Sequence, residues 1–488
     1  MDKNNRSPYL FLDPVKMTAE FAGKRSGVQP LEGGIPLVEL SDPVIQRIYY
    51  FRWHTYFSHI KPTPRGWVVT EFSVPVGWSG KYETISCPAG HHFYEGRWIH
   101  DPSYIEEYAR FWFTEEASPR LYSFWAADAI SAFCKVRGDL PFFGSLLDGI
   151  KNNYAGWERE KLTESGLFTQ IDDRDGMEFS IGGSGCRPTI NSYMCGDAAA
   201  IAEACGLLGL RKDEKLYRGK AEKLKELINT LLWDAEARFF KTRGEGPDDR
   251  LADVREEVGY VPWYFNIPDG DKSDAWKFLN DEKYFKAPFG PTTAERCHPR
   301  FMEEHRHSCL WNGPSWPFAT SQTLTALGNL ICGYDQDVMD ESDYFELLRT
   351  YAGSHFLTDE TGAKVPWIDE NLDPFTGRWI AKEWLENRDP PDPSAGRGFD
   401  YNHSTFCDLV LNGLAGIRPS YGDGLVIHPL FGQDDLDYFC ADGVLYHGSY
   451  ITVLWDRTGE KYGRGAGLAV FRDGEAVARS ETLREIRI

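Results

Sequence analysis

Residues 213–233 read Asp213-Glu-Lys-Leu-Tyr-Arg-Gly-Lys-Ala-Glu-Lys-Leu-Lys-Glu-Leu-Ile-Asn-Thr-Leu-Leu-Trp233. Leu216, Tyr217, Ala221, Leu224, Leu227, Ile228, Leu231 and Leu232 recur at spacings of three and four, with Lys and Glu between them. That period lays an apolar stripe along one side of an α-helix and leaves a charged side for water. The stretch just before it, 189–208, is rich in Ala and Gly instead. Small residues let helix axes approach closely, so this second stretch predicts a helix packed against others on both sides.

Helical patterns of the same kind spread outward in both directions. Asp42-Pro43 reads as an N-cap followed by Pro at the first helical position, opening a helix through Phe57. Further patterns lie at about 102–114, 122–137, 142–160, 316–331, 342–356 and 402–416. Between them run long loops rich in Gly, Pro and aromatic residues, at 163–188, 285–315 and 360–400. Loops of that length in a compact domain are functional or disordered, and these are too aromatic for disorder. The pattern predicts a helical toroid over residues 41–418, with loops gathered at one end to build a site. Residues 1–40 read as an extended N-terminal arm. Residues 419–488 change character, with β-rich runs at Leu425–Ile427, Tyr450–Trp455 and Leu468–Phe471. Asp473-Gly474 between two such runs is a type I′ hairpin signal.

Composition narrows the function classes. The chain has 488 residues, 14% of them aromatic with 16 Trp, 42% hydrophobic and 26% charged, at a mean hydropathy of −0.45. These figures exclude a disordered chain, a fibrous repeat and an integral membrane protein. With 53 Lys and Arg against 74 Asp and Glu, the net charge of −21 makes nucleic acid and anionic lipid poor partners. The ten cysteines form no C-x-x-C pair, and Cys134, Cys205 and Cys332 fall in apolar helical stretches, as buried free thiols do. No apolar h-region follows the first residues, so the sequence as given reads as cytoplasmic, or as periplasmic or secreted if a signal peptide was removed. Oligomeric state is left open. The aromatic surplus has two readings: a ring-rich core, or a surface that stacks on sugars.

Two loops carry the candidate chemistry. The first, Gly166 to Gly185, packs Asp172, Asp173, Asp175 and Glu178 beside Arg174 among apolar and Gly residues. Burial and carboxylate neighbours raise a carboxyl pKa, which keeps a general acid protonated near neutrality. The second, Trp367 to Trp379, sets Glu370 between Trp367 and Asn371, ahead of Asp373-Pro374. A pair of carboxyl groups from distant loops is what glycoside hydrolysis needs. Arg97 and Trp98, Trp125 and Asp128, and Tyr401 and His403 offer rings beside polar groups, as walls of a sugar subsite would.

Three motifs then stand in order. Trp311-Asn-Gly-Pro-Ser-Trp-Pro317 fits a W-x-G-P-x-W-P loop, Glu370-Asn-Leu-Asp-Pro-Phe-Thr-Gly377 an E-N-Y-x-P-x-T-G motif, and Leu232-Trp-Asp-Ala-Glu-Ala-Arg-Phe-Phe240 an L-W-D…F-Y segment. Over about residues 90–420 the chain resembles the six-hairpin (α/α)6 glycosidases, closest to glycoside hydrolase family 63 and the bacterial mannosylglycerate hydrolases. The resemblance implies an all-α (α/α)6 barrel and an inverting mechanism, with Glu370 as the base. It places the acid in the loop before the Ala-rich helix: Asp175 first, then Glu178 and Asp173, because the N-S-P of the family loop is missing here. Leu372 replaces the usual Tyr of the base motif. Arg187, Trp311, Asn312 and Trp316, with Glu178 and Trp367, join the residues expected to bind substrate. The expected activity is exo-hydrolysis of an α-linked glucoside, mannoside or short oligosaccharide, with no cofactor and no metal.

Other classes compete. Cys297, His298, His305, His307 and Cys309 invite zinc, but their spacing matches no common structural site. His305, His307 and His403 would suit a sugar epimerase or polysaccharide lyase of the same fold. A non-catalytic carbohydrate-binding protein would keep the rings without needing both carboxyl groups. No G-x-S-x-G, P-loop or dinucleotide fingerprint occurs.

Overall fold

The structure, a computed structural model, describes residues 7–21, 34–246, 249–390 and 392–488. The Ala-rich helix runs Pro188–Leu207 and the amphipathic one Arg211–Leu227. The two pack on each other, and the first also packs on the Ala126–Arg137 and Leu140–Lys161 helices. Its small residues have a use: a Cβ added at Gly196 would lie 2.1 Å from the ring of Phe265. The Arg211–Leu227 helix instead buries Tyr217 and Leu224 and leaves its Lys and Glu side in water. Near the chain's start, helix Pro43–Ser58 opens as its sequence predicts, with the Asp42 carboxylate accepting the Val44 and Ile45 N–H groups. Helix Pro317–Gly333 packs on Glu341–Ser354, which in turn reaches back to Pro43–Ser58.

Two elements differ from expectation. The 402–416 stretch winds only from Cys407, with a wide π-type turn over Leu409–Leu414. The buried Glu95 carboxylate accepts the N–H groups of Phe406, Cys407 and Asp408 and so starts the helix there. The 360–400 segment carries a short helix, Ile380–Glu386, and a strand, Lys364–Pro366, paired with Phe356–Thr358.

The C-terminal β region is a five-stranded antiparallel sheet. Its order is Leu37–Leu40, Tyr438–Tyr446, Ser449–Asp456, Gly467–Arg472 and Glu475–Ser480. At the expected hairpin Asp473 and Gly474 have φ of 51° and 85°, as a type I′ turn requires, and Arg472 faces Glu475. The edge strand Leu37–Leu40 comes from the segment read as an arm, which where described is folded, with a helix at Pro14–Thr18. Asp442, fully buried, accepts the N–H groups of Leu10, Phe11 and Leu12 and the Thr452 hydroxyl. The rest of the supposed arm, 1–6 and 22–33, lies outside the described residues. One buried apolar cluster runs through helices and sheet alike. Among the described residues no helix is long and apolar enough to cross a membrane.

Candidate active site

The three long loops meet around a cavity of about 430 Å³. Loop 163–188 supplies Glu178, loop 285–315 supplies His307, Cys309 and Trp311, and segment 360–400 supplies Glu370 and Arg397. A fourth segment, carrying Glu71, Phe72 and Trp78, closes the ring.

Glu370 is fixed by its neighbours. Leu372 exchanges two backbone hydrogen bonds with Ser315, and the Asn371 side chain donates to the Ser308 carbonyl. Its carboxylate is an acceptor of several donors: Arg397 Nε at 2.6 Å on Oε1, Arg397 Nη2 at 3.3 Å and the Cys309 thiol at 2.9 Å on Oε2. Glu178 comes from loop 163–188, where its carbonyl accepts the Trp311 N–H. Burial, and the charges of Asp173 and Glu370, push its pKa up to about 8. Glu71 is raised to about 8 as well, chiefly by burial, with Glu370 and Glu178 adding and the Tyr401 hydrogen bond opposing. The Tyr401 hydroxyl donates to Glu71 at 2.5 Å. Trp311 and Trp316 stack at 4.6 Å, and Tyr401 stacks on His403 at 3.9 Å. Burial lowers the His403 pKa well below its ordinary value, so the ring is neutral.

The pocket thus gathers the carboxyl groups of Glu71, Glu178 and Glu370 among aromatic side chains. Residues 81–404 match the family described as the mannosylglycerate hydrolase MGH1-like glycoside hydrolase domain. The chain belongs to that family. The solved structure of a sialidase is similar over all of this chain and 46% of that one, at 38% identity and a TM-score of 0.92. This chain therefore spans less than half of that protein. A family 78 rhamnosidase from a Bacillus species covers 86% of this chain and 40% of its own at 14% identity, TM-score 0.57. A family 63 mannosylglycerate hydrolase from Thermus thermophilus, in complex with Tris, covers 74% of this chain and 99% of its own at 11% identity, TM-score 0.55. The last two likenesses concern the fold alone. None of the curated proteins compared matches.

In this family member the residues singled out from sequence divide into two sets. Glu178, Glu370, Trp311, Trp316, Tyr401 and His403 line the cavity, with Asp173 at its rim. Asp175, the first choice for the acid, does not. Its side chain is wholly buried against Arg187, Nε to Oδ2 2.6 Å, and takes the hydroxyls of Ser123 and Thr189. The turn Asp172–Asp175 ends at Gly176 with φ 70°, which points residue 175 inward and leaves Glu178 to the cavity. Arg187 is thus the partner of Asp175 and lies outside the cavity lining.

Arg97 and Trp98 both bind Asp408, and Asp128 accepts the Tyr94 hydroxyl. Arg97 and Asp128 border a separate cavity of about 300 Å³. Trp125 sits in the core between His91 and Tyr193, Trp367 packs on Phe399, and Asn312 donates to the Glu304 carbonyl. These side chains lie outside the cavity that holds Glu178 and Glu370. Sequence reasoning passed over Glu71, Trp78, Trp384 and Arg388, all of which line the cavity. Glu71 stands beside Phe72, the same carboxyl-next-to-ring signal that marked the other loops. Cys297 and His305 are exposed and His307 accepts the Cys309 N–H. Among the described residues no three His, Cys, Asp or Glu side chains group as a metal site would.

Proposed function

We propose that the protein is an inverting, exo-acting hydrolase of an α-linked sugar, with Glu178 as the general acid and Glu370 as the base. One observation carries the reading. A carboxyl held protonated to about pH 8 shares a cavity with a carboxylate on which cationic and thiol donors converge. The carboxyl of Glu178 gives its proton to the departing glycosidic oxygen. The carboxylate of Glu370 takes a proton from the water that attacks the anomeric carbon from the opposite face. Trp311, Trp316 and Tyr401 supply ring faces for the sugar. A single cavity of this size suits a terminal residue and not a long chain. The return of helix Glu341–Ser354 onto helix Pro43–Ser58 supports a closed (α/α)6 ring.

The test is a panel of para-nitrophenyl α-glucoside, α-mannoside and related glycosides, with Glu178→Gln and Glu370→Gln beside the wild type. Proton NMR of the first-formed anomer reads the stereochemistry. Both variants should lose most activity, and the product should be inverted. Activity surviving in both variants removes the assignment.

A second reading has its own observation. The Tyr401 phenol, bonded to the Glu71 carboxyl at 2.5 Å inside the cavity, would suit a Tyr nucleophile of the kind sialidases use. The relative with 38% identity is a sialidase. Under this reading methylumbelliferyl sialoside is cleaved with retention and Tyr401→Phe is inactive. Inversion with a tolerated Tyr401→Phe excludes it.

A further inference from the structure

The Cys309 thiol touches the base, and the reaction as proposed assigns it nothing. Its Sγ lies 2.9 Å from Glu370 Oε2, and it faces the cavity. The residue is held from both sides. Its N–H donates to His307 Nδ1, and the preceding Ser308 accepts Asn371 on its carbonyl and Arg397 on its hydroxyl. A carboxylate oxygen has two acceptor lobes. Oε2 carries two donors, Cys309 and Arg397 Nη2, whereas Oε1 carries Arg397 Nε alone. The lobe left for an attacking water is therefore on Oε1.

We propose that Cys309 is a positioning residue for hydrolysis: its S–H occupies Oε2 of Glu370 and so presents Oε1 to the water. This rests on Glu370 being the base. Burial, then the Glu370 charge, raise the Cys309 pKa well above the ordinary thiol value, so the proton it donates is present throughout the working pH range. The other titratable and charged groups around Glu370 are Glu71, Glu178, Asp369, Arg397, Tyr401 and His403. Among the described residues, its carboxylate donors are Arg397 and Cys309.

The experiment measures kcat/KM against pH for wild type, Cys309→Ala and Cys309→Ser on the para-nitrophenyl glycoside cleaved fastest by the wild type. Removing a donor from an ionised carboxylate raises its pKa. In Cys309→Ala the acid limb should thus move up by roughly half to one pH unit, and kcat at neutral pH should fall about three- to tenfold. A serine hydroxyl donates to the same oxygen, so Cys309→Ser should return the limb to within about a third of that shift. An unmoved limb in Cys309→Ala overturns the proposal. So does a loss of rate that serine does not restore, because a packing role gives that pattern. Glu370→Gln run in parallel separates the two claims. Activity kept there removes the base itself, whereas activity lost there with an unmoved limb in Cys309→Ala removes only the thiol's part.

Discussion

Asp175 and Glu178 stand three positions apart and meet opposite surroundings. Asp175 is saturated by Arg187 and two hydroxyls, and Glu178 is half-buried in the cavity wall with other acids near it. Substituting Asp175→Asn leaves the Arg187 charge without its counterion, so it should cost about 3–5 kcal/mol of stability. Urea unfolding monitored by tryptophan fluorescence checks it, and an unchanged midpoint contradicts it. Glu178 should behave the other way. Its folded pKa of about 8 lies above the 4.5 of an ordinary Glu, so the folded chain holds a proton that the unfolded chain releases. Stability from this group is full below about pH 4.5 and is lost as pH rises through 8. Glu178→Gln should therefore raise Tm at pH 9 relative to wild type while removing activity, by thermal shift and rate assays on one sample. In wild type, activity should fall as pH passes about 8, where the acid loses its proton. At this scale the sequence is half legible. Glu370, Trp311 and Trp316 stand in motifs that fix their direction, whereas the direction of Asp175 depends on a turn whose hand is set by Gly176. Trp98 and Trp125 look like Trp311 in composition but point into the core. Only packing distinguishes them.

Among the elements, helix Pro188–Leu207 is the most legible and the most constrained. Its Ala and Gly content predicts close neighbours, and the clash distance at Gly196 shows how close. Alanine is the better helix former by about 1 kcal/mol, yet Gly196→Ala should destabilise by about 1–3 kcal/mol because Phe265 has to move. Chemical denaturation decides the sign, and a more stable variant refutes the tight contact. The 402–416 stretch is the least legible element. Its apolar spacing continues to the N-terminal side of Cys407, but Glu95, more than 300 positions earlier, sets the first turn through three N–H groups. Periodicity reads a helix's face and cannot see a cap supplied by another segment.

For the whole molecule, the division into helices then strands is plain in sequence, because the period of apolar residues changes from near three and a half to two after residue 419. What composition cannot show is that the sheet borrows its edge strand, Leu37–Leu40, from the opposite end of the chain. The buried Asp442 holds that end through three amide groups. Asp442→Ala leaves those amides unpaired, at a cost of about 2 kcal/mol, and should open residues 7–21 to proteases. Limited digestion followed by mass spectrometry of the first cuts tests this, and an unchanged cleavage map speaks against the clamp.

The same borrowed strand imposes an order on biosynthesis. Leu37 leaves the ribosome about 400 residues before its partner Asp442. At about 5–20 residues per second, the edge strand waits roughly 20–80 s for its partner. Through that interval its apolar residues Leu37, Val38 and Leu40, all buried in the finished fold, have no sheet to join. A newly made chain thus carries an unpaired strand until Tyr438–Tyr446 has been synthesised, and a chaperone would have most to shield in that interval.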